Sequence, residues 1–192
     1  FRDWRKNMCG IVGYVGPDNA TEIIIDGLGK LEYRGYDSAG IALLRNGGIT
    51  VRKHIGELKN LKKLISGETL DSHVGIGHTR WATHGAPSDL NAHPHVNWDS
   101  TIAVVHNGIV ENYIELKKWL SEEYKIEFKS ETDTEVIAQL IGVLYKGNLE
   151  DAVIEAVGKM RGAYSICVVA AKEPDKIVAF RKSAPLIVGL GK

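Results

Sequence analysis

Apolar positions recur along this chain with two periods, and each period marks a type of element. Cys9-Gly-Ile-Val-Gly-Tyr-Val15 is a short β-branched run that reads as a buried strand. Ile23, Ile24, Leu28 and Leu31 return at helical spacing and predict a helix over 20–32, with Asn19 and Glu22 placed as a capping box. Gly27 and Gly29 oppose that helix by about 1 kcal/mol each. Ala39–Arg45 and Ile49–His54 read as strands around Asn46-Gly47-Gly48, a hairpin signal. Leu58–Ile65 reads as a short helix, and Val74–Thr79 and Thr101–His106 as strands. A helix over Asn112–Tyr124 opens on Asn112/Glu115 and carries the stripe Tyr113, Leu116, Leu120, Tyr124. Another over Thr132–Tyr145 opens on Thr132-Asp-Thr-Glu135 and carries Val136, Ile137, Leu140, Ile141 and Leu144. Leu149–Gly158 is a third, and Ala163–Ala171, Lys176–Arg181 and Leu186–Gly189 close the chain as strands. Strands early and late, with helices among and between them, predict sheets covered by helices and exclude an all-α or all-β domain.

Composition narrows the class. A length of 192 residues suits one domain or at most two small ones, with 44% apolar residues to fill a core. Lys+Arg and Asp+Glu are 24 each, so no basic field points to nucleic acid or an anionic membrane. Two Cys exclude a disulfide framework and a cysteine zinc site. No apolar run approaches the ~20 residues that span a bilayer. Phe1–Asn7 lacks the apolar stretch of a signal peptide, so a soluble, cytoplasmic domain is expected. Those seven mixed residues stand before Met8, and Cys9 follows at once.

Four segments carry more polar chemistry than a core needs: Met8-Cys9-Gly10, Tyr33 to Gly40, His78 to Gly85, and His106 to Asn112. Each lies at the end of a predicted strand, where binding loops sit on a rigid scaffold. A free Cys is commonly a small buried hydrophobe. If Met8 is removed, Cys9 instead joins a thiol to a free α-amine of pKa about 8 that can take its proton. Cys167, inside an apolar strand, reads as core. His78, His84, His93, His95 and His106 invite a metal reading, but no spacing among them matches a zinc pattern. His93 and His95 flank Pro94 and would point to opposite faces of an extended segment. Histidines bonded to backbone or to each other are the expected alternative. Arg80 offers a planar fork for a carboxylate, against the alternative of a surface ion pair. Asp133 opens a helix, where a carboxylate is favourable through the dipole alone. Asn107-Gly108 is either a plain turn or the amide and N–H of an oxyanion hole. The charged faces Lys59–Lys63 and Lys117–Glu123 read as solvated helix surface, and Trp98 and Trp119 as structural packing.

Taken together, Cys9-Gly-Ile-Val12, Arg34-Gly35, Arg80 to His84, Asn107-Gly108 and Asp133 resemble the class II glutamine amidotransferases, which are N-terminal-nucleophile hydrolases. Within that class, Tyr33-Arg-Gly-Tyr-Asp-Ser-Ala-Gly40 and His78-Thr-Arg-Trp-Ala-Thr-His-Gly85 resemble the branch that makes glucosamine 6-phosphate from fructose 6-phosphate. The purine-pathway branch typically reads His-Arg-Gly-Gln-Glu in the first loop and lacks the Trp of the second. The resemblance implies an α+β fold, a four-layer αββα sandwich. It implies that Cys9 attacks glutamine, that Asn107 and Gly108 stabilise the oxyanion, and that Arg34 supports the nucleophile region. Arg80 would hold the substrate carboxylate and Asp133 its ammonium. Thr83, His84 and Gly108 would complete the glutamine pocket, with Trp81 gating ammonia and Gly85 a plausible hinge for the loop that closes. No cofactor and no metal is implied.

The expected boundaries are an extension over 1–7, as a tag or mis-assigned start, and a class II domain over 8–192 that is incomplete at its C-terminus. The isomerase half that would bind fructose 6-phosphate, and through which the parent enzyme would dimerise, is expected to be absent. Three functions remain open on the residues: a cysteine-dependent glutaminase, a metal-binding domain built on the histidines, and a glutamine-binding module silenced by the residues before Cys9. Another class II amidotransferase, such as an amidophosphoribosyltransferase, is the alternative within the enzyme reading.

Overall fold

The computed structural model describes residues 9–191. The expected extension over Phe1–Asn7 lies outside the described residues. In chain order the elements are β1 (Gly10–Val15), α1 (Ala20–Leu31), β2 (Ser38–Arg45), β3 (Gly48–Ile55), α2 (Leu58–Ile65), β4 (Val74–Arg80), β5 (His95–Val96), β6 (Ile102–Val110), α3 (Tyr113–Tyr124), α4 (Asp133–Leu144), α5 (Leu149–Lys159), β7 (Gly162–Ala170) and β8 (Glu173–Lys182). They form two four-stranded sheets, ordered β1-β4-β2-β3 and β5-β6-β7-β8, antiparallel throughout.

The alternation of side chains along each strand builds the layers. From β2, Ala39, Ile41 and Leu43 join Ile24 and Leu28 of α1 and Leu58 and Leu61 of α2 in an outer core. The intervening Ala42 and Leu44 face the other way and meet Ala103 and Val105 of β6 and Cys167 and Val169 of β7 between the sheets. Ile102 and Val104, with Tyr164, Ile166 and Val168, pack against α3, α4 and α5 on the far side. The result is helices, sheet, sheet, helices: the αββα sandwich. Cys167 is core, as its sequence context predicts. Gly77 of β4 lets α1 lie close, since a Cβ there would run into Ile24. The hairpin signal is realised, with Asn46 and Gly47 both at positive φ, 53° and 73°. Among the described residues no helix is long and apolar enough to cross a membrane.

Several local expectations need correction. Leu186–Gly189 is not a strand: no strand among the described residues pairs with it, and Ile187 is 92% exposed. The strand expected to end at His106 runs on to Val110, because Asn107 to Val110 keep pairing with β7. Asn112 does not cap its own helix. Its side chain accepts from Arg161 N–H and donates to Lys159 C=O, tying α3 to the α5–β7 connection. Asn19 and Thr132 do cap their helices, accepting from Thr21 and Glu135 N–H. Glu135 turns its carboxylate to the Lys129 and Ser130 N–H groups and so does not complete a capping box. Trp98, expected as structural packing, lies against Gly142 of α4 with 53% of its surface exposed.

Candidate active site

Sheet register brings the sequence motifs to one end of the sandwich. In β1 and β4, Gly10 lies opposite Thr79, so Cys9 emerges beside Arg80. Ser38 lies opposite Arg80, which lays the Tyr33–Asp37 loop along the same edge. From the second sheet, β6 contributes Asn107 and Gly108, and the start of α4 contributes Asp133. These groups line one cavity of about 500 Å³, together with Arg34, Trp81, Thr83 and His84. Every site residue expected from the sequence therefore faces the same space.

The Cys9 thiol is held by backbone. Trp81 N–H donates to Sγ at 3.1 Å, and Sγ reaches Trp81 C=O at 3.5 Å. Burial pushes the thiol above its ordinary value. The Trp81 hydrogen bond and the Arg80 charge pull it down without cancelling that rise, and Asp37 adds to it. A thiol in this state is protonated at neutral pH and needs a base to become a nucleophile. Asn107 donates through Nδ2 to Cys9 C=O at 3.2 Å, and its Oδ1 lies 2.6 Å from His78 Nε2. Gly108 takes φ 116°, and a Cβ there would run into the Ala163 carbonyl oxygen, so the position accepts only glycine. An amide N–H₂ and a glycine backbone thus stand side by side, next to a thiol.

Arg80 is a buried group, its side chain 3% exposed, and not half of a surface ion pair. Its Nη2 donates to the carbonyls of His84 and Gly85, the latter at 3.1 Å. Nη1 sits 3.7 Å from Asp37 Oδ1 and has no hydrogen-bond partner. To grip a carboxylate with both prongs, the fork would release the carbonyls of the 81–85 loop. His84 contributes its backbone here, and its ring packs edge-on against Tyr113 at 5.0 Å. Arg34 lies over the Tyr33 ring and donates through Nε to the Tyr33 hydroxyl.

Asp133 accepts from Val110 N–H at 3.0 Å and lies 3.8 Å from His106 Nδ1. Behind it is a buried stack of imidazoles, with His93 at the centre, 4.4 Å from His78, 5.3 Å from His95 and 6.4 Å from His106. His93 and His95 do not point apart, because His93 sits in a bend and not in an extended segment. Ring nitrogens bond to side chains, His78 to Asn107, His95 to Thr132 and His106 to Thr134, and two of the rings also interact with backbone, His78 at His106 and His95 at Asn91. Burial lowers all four, His78 to about 3, so the stack is neutral at pH 7. Among the described residues no group of three or more His, Cys, Asp and Glu side chains converges as a metal would require. Asp37, which also accepts from Ala82 N–H, and His78 were not assigned roles from the sequence. Both stand inside the quoted motifs, but their partners are distant in sequence.

The sequence profile of the glutamine amidotransferase domain matches residues 78–189. The chain belongs to that family. Among its relatives are glutamine–fructose-6-phosphate aminotransferases (isomerizing) of Clostridium acetobutylicum, 58% identical over 185 residues, and of Clostridium perfringens, 60% identical over 185. Each alignment covers 96% of this chain but 30% of the relative, so the chain spans under a third of their length. Among solved structures, the glutamine phosphoribosylpyrophosphate amidotransferase of B. subtilis matches with a TM-score of 0.72 and 27% identity, over 84% of this chain and 35% of that one.

Proposed function

We propose that this chain hydrolyses L-glutamine to glutamate and ammonia through a thioester on Cys9. The observation that carries the reading is the convergence on one cavity of a thiol, an amide N–H₂ beside a glycine backbone, a buried arginine and a helix-opening carboxylate. The thiol proton passes to the α-amine of Cys9 once that amine is free, and the thiolate attacks the glutamine side-chain carbon. Asn107 Nδ2 and Gly108 N–H receive the oxyanion. The tetrahedral species collapses, and the leaving nitrogen takes the proton and departs as ammonia. Water then cleaves the γ-glutamyl thioester and restores the thiol. Arg80 receives the substrate carboxylate after giving up the carbonyls of the 81–85 loop, Asp133 receives the ammonium, and Thr83 and His84 close the pocket. Arg34 supports the nucleophile region, and Trp81 stands at the ammonia exit.

In the longer protein the ammonia would pass to fructose 6-phosphate, in the cytoplasm and in a homodimer. The identity to the aminotransferases is about twice that to the phosphoribosylpyrophosphate enzyme, which favours this acceptor. Ammonia release from glutamine, compared between the parent protein and Cys9→Ala, tests the reading. The variant should lose turnover yet still bind glutamine by calorimetry. Surviving turnover would remove Cys9 from its role.

A further inference from the structure

The Asn107 amide can sit in either of two orientations that differ by a half-turn, and only one presents a donor to an oxyanion. The Cys9 carbonyl can only accept, so the amide atom 3.2 Å away must be Nδ2. Oδ1 then faces His78 Nε2 at 2.6 Å, and that nitrogen must carry the ring's proton. His78 is fully buried on β4, its ring tilted against His93 and close to the His106 backbone, and Nδ1 makes no hydrogen bond. Its one side-chain hydrogen bond is the one to Asn107.

We infer that His78 is a positioning residue: its Nε2–H locks the Asn107 amide with Nδ2 toward the nucleophile, so that the oxyanion meets a donor and not an oxygen. The inference rests on the glutaminase reading above and deepens it. A preorientated donor costs no reorganisation when charge develops, whereas a free amide presents its oxygen part of the time. The loss therefore falls on the transition state and not on the bound glutamine, and belongs in kcat. His78 remains neutral across the working range, because burial holds it at about 3. It moves no proton and should not shape the pH profile.

The test is a double-mutant cycle on glutamine hydrolysis, using His78→Leu and Asn107→Ala. His78→Leu should lower kcat ten- to a hundredfold, with KM for glutamine within threefold and the pH limbs unmoved. His78→Gln, which carries an N–H to similar reach, should recover most of the loss. In the Asn107→Ala background the His78→Leu change should cost less than threefold further. Equal losses in both backgrounds, or no loss at all, overturn the positioning role. An unchanged kcat in Asn107→Ala alone overturns the oxyanion reading instead, so the two failures are separate. Independently of any variant's folding, the ¹⁵N shifts of His78 in the unaltered protein at pH 7 should report a protonated Nε2 and a bare Nδ1. The opposite tautomer also overturns the inference.

Discussion

Asp37→Asn isolates a charge from a hydrogen bond. Asparagine keeps one acceptor, for Ala82 N–H, and turns its N–H₂ toward the Ser38 hydroxyl, which can rotate to accept, while the backbone bonds from Asp37 N–H to Arg80 C=O and from Gly56 N–H to Asp37 C=O hold the loop. What disappears is the negative charge 3.7 Å from Arg80 Nη1. At that separation the attraction is about 1 kcal/mol in bulk water and about 4 kcal/mol at an effective dielectric of 20. The Arg80 side chain is 3% exposed and Asp37 18%, and the pair is too long for a full hydrogen bond, so the answer lies between those limits. The expected loss of unfolding free energy in urea is about 2 kcal/mol. The same change has a second, opposite-looking consequence. Asp37 raises the Cys9 thiol, so its neutralisation lowers the thiol toward its ordinary range. The rate of Cys9 alkylation by iodoacetamide against pH reads this directly, and its midpoint should move down. Cys167 stays out of the measurement, being 5% exposed with its thiol pushed up to about 11. Unchanged stability together with a midpoint that moves up would refute the assignment of Asp37 as the partner of Arg80.

Three further outcomes are expected. The buried histidines have lowered folded values, so the unfolded chain binds more protons below pH 6.5 and stability falls with falling pH. About 1 kcal/mol for each of His78, His93 and His95 should be gone by pH 5.5, with a further loss in the same direction from His106, measured by urea unfolding at pH 7 and 5.5. Gly108→Ala forces a Cβ into the Ala163 carbonyl at positive φ, so it should lose about 2–4 kcal/mol of stability and at least tenfold in kcat. A chain whose first residue is Cys9 should hydrolyse glutamine far faster than one with a residue joined to the Cys9 nitrogen. Equal rates, with intact masses confirming both chains, would remove the amine as base.

Much of the sandwich is written in local pattern. The α2 helix follows the stripe Leu58, Leu61 and Ile65, and the β2–β3 hairpin follows from Asn46-Gly47. The site residues were legible because four short motifs carry them, and strand ends deliver those motifs to one cavity. Long-range partners were not legible. Asn107 and Gly108 read as a turn or an oxyanion hole beyond the end of a strand, because polar and glycine residues break the apolar run, yet β7 pairs with them. Asn112 reads as a cap, but its better partners on Lys159 and Arg161 arrive only when α5 is in place. Arg80 reads as an open fork, and the carbonyls that occupy it lie in the loop that follows. Leu186–Gly189 has strand-like residues but pairs with no strand among the described residues. Periodicity reports what a segment can form, and pairing depends on what the rest of the chain brings beside it.

The nucleophile and its arginine belong to one sheet, while the amide, the glycine and the acidic group belong to the other or to the helix packed on it. The gap across which bond-making must occur is thus gauged by the filling between the leaves, built from Ala42, Ala103, Cys167 and their neighbours. That filling acts as a spacer of fixed thickness. A bulkier residue there, such as Ala103→Val, would press the two halves of the machinery apart without touching either, and turnover would register the thickness of the filling.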